Sequence, residues 1–123
     1  MGGKPAVRRA TPDEKVEIGF LEGVLKRLPG DVLTLQALGD LYTRAGFLRE
    51  GLNVDLALAR SRPDDPLVWY NLACSRALVG EKEASIDALR RAITLGYDDF
   101  AWMRRDKDLT VLHDDARFME LMA

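Results

Sequence analysis

PDDPLVWYNLACSRALVGEKEASIDALRRAITLG, Pro63 to Gly96, holds two helix-length apolar patterns, a glycine between them and a proline in front. Slid back by 34 residues, the stretch matches itself. Trp69 falls on Leu35, Leu72 on Leu38, Ala73 on Gly39 and Gly80 on Gly46. Ser85 falls on Gly51, Ile86 on Leu52, Ile93 on Ala59 and Pro63 on Pro29. Large apolar residues land on apolar ones, small on small, and turn formers on turn formers. A recurrence of this length is the signature of stacked helical pairs.

The punctuation of the chain agrees. Thr11-Pro12-Asp13-Glu14 reads as a capping box with proline at the first helical position. The helix it opens runs through Ile18, Leu21, Leu25 and Leu28, spaced by three or four, and stops before Pro29-Gly30. Asp31 caps a second helix, with Leu35, Leu38 and Tyr42 on one side, ending near Gly46. A third runs from about Leu48 to Arg60. A fourth starts at Asp65-Pro66, passes through Trp69, Leu72 and Cys74, and ends at Gly80. A fifth extends from Glu81 to Leu95, where Gly96 suits the left-handed close of a helix. No segment alternates with period two long enough to suggest a strand, so the expected fold class is all-α.

These residues resemble the tetratricopeptide repeat family, whose unit is a helix–turn–helix of 34 residues. Leu35, Leu38-Gly39, Tyr42, Gly46, Gly51 and Pro63 form one such unit. Trp69, Leu72-Ala73, Gly80, Ser85, Ala92 and Ile93 form the other. The resemblance implies a right-handed superhelical stack of antiparallel helical hairpins with capping helices. The expected divisions are a tail over 1–10, a half repeat or cap over 11–29, repeats over 30–63 and 64–97, and a C-terminal cap over 98–123. Two residues depart from the pattern. Asp55 stands where the family places an aromatic residue, which would let its helix be rotated or shifted by one. Arg76 stands where Tyr42 predicts another aromatic.

The tail YDDFAWMRRDKDLTVLHDDARFMELMA offers Phe100, Trp102, Met103, Leu109, Leu112, Phe118 and Leu121 to close the stack. Its Asp98-Asp99 and Asp114-Asp115 pairs read as helix starts. This ending also resembles tails that follow such repeats in bacterial proteins.

Composition excludes several classes of function. The 123 residues suffice for one domain with a modest core, 47% apolar and 31% charged. A net charge of −2 supplies no field for nucleic acid. No apolar run approaches the ~18 residues that span a bilayer, and the N-terminus lacks a signal-peptide core. The single cysteine, Cys74, leaves no intramolecular disulfide and fits a cytoplasmic protein.

Chemistry is equally sparse. Cys74 and the one histidine, His113, lie far apart, and Cys74 reads as a small residue of an amphipathic helix. Asp106, Asp108, Asp114 and Asp115 lack the glycine-centred loop and terminal glutamate of a calcium hand and read as exposed helix caps. No phosphate loop or dinucleotide fingerprint occurs. The expectation is a protein that is not an enzyme, with no cofactor and no metal.

The resemblance implies that the first helix of each unit lines a concave groove. The stripe turned toward it comprises Leu33, Gln36, Ala37, Asp40, Thr43 and Arg44 in one unit. In the other it comprises Leu67, Tyr70, Asn71, Cys74, Ala77 and Leu78, with Tyr70 and Asn71 as polar handles. Family members that clamp acidic chaperone C-termini use Lys, Asn and Arg here. Gln36 and Asp40 stand in two of those places and only Asn71 fits, so that role is not expected. The leading expectation is a protein-interaction module that takes a partner's peptide or helix in the groove. The alternative is a self-associating protein, a homodimer included, whose groove is covered by its own C-terminal segment or by a second copy.

Overall fold

The structure, a computed structural model, describes residues 10–123. The described residues are 77% helical, with no strand among them, which sets the class as all-α. Five long helices come first: α1 (Pro12–Arg27), α2 (Val32–Ala45), α3 (Leu48–Ser61), α4 (Pro66–Leu78) and α5 (Lys82–Thr94). The short α6 (Phe100–Arg105), a 3₁₀ segment (Lys107–Leu112) and α7 (Ala116–Leu121) follow. The tail assigned to residues 1–10 lies outside the described residues except for Ala10, which packs against the core.

Local chemistry places the ends. The Glu14 amide donates to Thr11 Oγ1 at 3.1 Å and the Thr11 amide to Glu14 Oε1 at 2.9 Å, completing the capping box. Asp31 accepts from the Thr34 amide, and Asp65 from the Leu67 and Val68 amides. Gly46, Gly80 and Gly96 follow helices at φ of 89°, 84° and 115°, a backbone conformation that costs a residue with a Cβ.

The two hairpins α2–α3 and α4–α5 recur in register. Their first helices begin at Val32 and Pro66, their second at Leu48 and Lys82, 34 residues apart in each case. The inner contacts recur too. A Cβ on Gly39 would meet Val54 Cγ1 at 3.2 Å, and one on Gly51 would lie 3.7 Å from the Gly39 carbonyl. At the matching places Ser85 Oγ donates to the Ala73 carbonyl at 2.7 Å, with both residues fully buried. Small residues there let the paired helices approach.

Helices α1 to α5 each pack on the next in sequence, the 3₁₀ segment returns against α4, and α7 returns against α5. Leu38, Leu41, Leu52, Ile86, Leu89, Met103, Leu109 and Leu112 are sealed in one core, so the last quarter of the chain belongs to it.

Several expected core residues sit otherwise. Leu28 follows α1 and is exposed. Tyr42 and Trp69 are half-buried with their polar ends satisfied at the surface: the Tyr42 hydroxyl donates to Glu22, and Trp69 Nε1 donates to the Pro63 carbonyl at 2.7 Å. Val68 takes the inward place beside Leu72 instead. The rotation allowed for α3 does not occur. Asp55 itself turns inward, buried beside Leu52 and Leu58.

Candidate functional site

A cleft of about 460 Å³ opens along the inner side of the two hairpins. Gln36, Gly39, Asp40 and Thr43 of α2 form one wall, and Leu67, Tyr70, Asn71, Cys74 and Ser75 of α4 the other. Asp55 and Leu58 of α3 also line it. Tyr97, Asp99, Trp102, Asp106 and Asp108, all after α5, close the far side.

Of the residues expected in the groove, the cleft gathers Gln36, Asp40, Leu67, Tyr70, Asn71 and Cys74. Leu33, Arg44 and Leu78 do not line it. Leu33 is 77% exposed away from the cleft, and Arg44 stands beside it, its Nε 3.0 Å from Asp40 Oδ2.

Tyr70 is not the open handle expected of it. The residue is 3% exposed, its ring stacks on Tyr97 at 4.3 Å between centroids, and its hydroxyl donates to Asp106 Oδ2 at 2.6 Å. Cys74 is covered as well, its thiol 3.6 Å from the same oxygen. The C-terminal segment therefore roofs the inner part of the cleft. The outer part stays open at Gln36, Asp40, Asn71, Leu67 and Trp102, the last two 56% and 47% exposed.

The expectation that Asp106 is an exposed cap is also corrected. It caps the 3₁₀ segment, taking the Asp108 amide at 3.0 Å on Oδ1, but it is buried. Asp99 and Asp115 behave as the sequence indicates, accepting from the Trp102 and Arg117 amides.

The electrostatics of the cleft are one-sided. Five aspartates line it, Asp40, Asp55, Asp99, Asp106 and Asp108, and no Lys or Arg among the described residues does. Burial pushes Asp55 up to about 6, partly opposed by the Ser75 hydroxyl that donates to it. Burial, then the charges of Asp106 and Asp40, hold Asp108 above the usual carboxylate range. Burial and neighbouring Asp106 likewise raise the Cys74 thiol, the opposite of what activates a nucleophile.

Cys74, Asp106 and Asp108 bring three potential ligand atoms within 4.8 Å of one another. Both Asp106 oxygens already hold donors, Tyr70 and Cys74 on one and the Asp108 amide on the other. A metal bound here would have to displace them. His113 is no partner for Cys74: its ring lies against Phe118, 5.5 Å between centroids. No helix among the described residues is long and apolar enough to cross a membrane.

No family model and no solved structure matches the chain. A chloroplastic protein from Arabidopsis thaliana is 29% identical over 84 residues, which cover 66% of this chain and 25% of that protein. The match spans a quarter of that relative's length.

Proposed function

We propose that the chain is a tetratricopeptide-like interaction module, non-catalytic, whose concave cleft holds a segment of a partner protein. The observation that carries this reading is the cleft itself, about 460 Å³ and open along its outer half, with Leu67 and Trp102 presented to solvent on its rim. Rim apolar groups around a concavity are what a peptide or helix uses for affinity. The 34-residue recurrence of the two hairpins supports the solenoid part of the reading. A cytoplasmic setting and a bacterial source rest on the single cysteine and the form of the tail.

One observation favours part of the alternative reading. The C-terminal segment occupies the inner cleft through Asp106, so the chain covers some of its own groove. On that reading the roof narrows the site and leaves the outer cleft for the partner.

Affinity capture from native lysate with wild type and Leu67→Glu tests the proposal. Leu67 is exposed, so the charge should leave folding intact. A partner held by wild type and lost with the variant supports the cleft. Equal capture by both contradicts it.

A further inference from the structure

We infer that the partner segment is cationic, with a Lys or Arg side chain entering the cleft between Asp55 and Asp108 while apolar neighbours lie on Leu67 and Trp102. This deepens the proposed function and rests on it. The argument starts from how the five aspartates of the lining are occupied. Asp40 pairs with Arg44 on the exposed rim. Asp99 is used by the Trp102 amide, and Asp106 by Tyr70, Cys74 and the Asp108 amide. Asp108 has no donor or cation among the described residues, and Asp55 accepts the Ser75 hydroxyl alone. Each carries unspent acceptor capacity into a cleft that no positive side chain among the described residues lines.

The cost of that arrangement is visible in the chemistry. Burial penalises the ionised forms of Asp55 and Asp108, repulsion from Asp106 and Asp40 adds to it at Asp108, and an incoming cation offsets that repulsion. Guanidinium or ammonium donors would meet carboxylates in charge-assisted hydrogen bonds, while an acidic segment would meet only repulsion. The apolar rim selects a peptide over a free ion. Leu67 and Trp102 gain nothing from a bare cation, whereas apolar residues flanking the charge bury against them, and Trp102 offers a ring face to Arg. The volume suits one or two side chains, so an extended stretch is the natural occupant.

The test is a titration of the isotope-labelled full chain with three synthetic peptides, followed by amide and Trp indole resonances. All three share the same Leu and Ala positions and differ in carrying Arg, Gln or Glu between them. The Arg peptide is expected to move the signals of Asn71, Trp102 and Asp108 and to bind about tenfold more tightly than the Gln peptide, roughly one charged contact. Asp108→Asn, or separately Asp55→Asn, is expected to reduce that preference, and Asp87→Asn, at an exposed position of α5, to leave it unchanged.

Equal affinity for the Arg and Gln peptides at the cleft overturns the charge selection and leaves the binding cleft standing. Preference for the Glu peptide overturns it likewise. Absence of any response at the cleft overturns both. A response of Asp106 and Asp108 to Zn²⁺ alone, with none to the Arg peptide, assigns the carboxylates to metal and overturns the inference.

Discussion

The Tyr70 hydroxyl reaches the Asp106 carboxylate at 2.6 Å, tying the middle of α4 to a buried residue 36 positions later. Tyr97 stacks flat on the same ring, with 4° between the planes. Together they make the C-terminal segment a wall of the cleft.

Removing the hydroxyl tests that tie. Tyr70→Phe should cost about 1.5–3 kcal/mol, the range for a hydrogen bond to a charged group. The loss should concentrate in faster amide exchange at Asp108 and Leu109, whose amides bond to Asp106. A uniform rise across α2 and α3 would contradict a local tie.

The segment should also behave as core. Leu109 is fully buried in the cluster that holds Leu38 and Leu89. Leu109→Ala should therefore lower stability in urea by about 2–5 kcal/mol, as for a buried leucine elsewhere. A loss below about 0.5 kcal/mol would mark the last quarter of the chain as an independent appendage.

The elements up to Gly96 were legible because their signals are local. Thr11 with Glu14, Asp31, Asp65 and the three cap glycines each act within a few residues, and the 34-residue register repeats them. What joins the tail to α4 was not legible. Asp106 looks like any Asp before a helical turn, and nothing near it in sequence distinguishes a buried acceptor for Tyr70 from a solvated cap. Trp69 and Tyr42 misled for a related reason. Their spacing marks a helix face, but their polar ends favour its edge, so Val68 fills the interior beside Leu72. The groove stripe was half legible: the resemblance with helical spacing put Gln36, Asp40, Leu67 and Asn71 on the side that lines the cleft, while burial of Tyr70 depends on the tail. Asp55 stood out in sequence as a departure, though its inward, acidic environment required neighbours from α4.

Asp55 gives a pH prediction. Its carboxyl is raised to about 6 in the folded chain by burial, against 3.8 as its ordinary value. The folded state thus holds this proton more tightly than the unfolded one. The contribution is fully present below the ordinary value and is lost as pH rises through about 6. Asn keeps an acceptor for Ser75 and cannot ionise. Asp55→Asn should be close to neutral at pH 4 and more stable than wild type at pH 7.5, by on the order of 1–3 kcal/mol. Thermal melts of both proteins across this range check it. A constant difference would contradict the buried carboxylate.

The close approach of α2 and α3 gives a cycle. A Cβ on Gly51 would lie 2.8 Å from Thr43 Oγ1. Overpacking of this kind costs about 1–3 kcal/mol and exceeds the gain of up to about 1 kcal/mol from Ala in a helix interior. Gly51→Ala should therefore destabilise. With Thr43→Ala the obstruction is gone, and the same substitution should stabilise by about 0.5–1 kcal/mol. Denaturant unfolding of the four proteins gives the coupling, and additivity would contradict the contact.

The central claim is that the outer cleft is where a partner is engaged. Its most direct test places a photoactivatable cross-linker at Gln36, inside the cleft, or at Leu33, on the same helix but outside it, in the native host. The account predicts a discrete adduct from position 36 that is absent from position 33 and abolished by Leu67→Glu. Equal adducts from both positions, or none from 36, would contradict it.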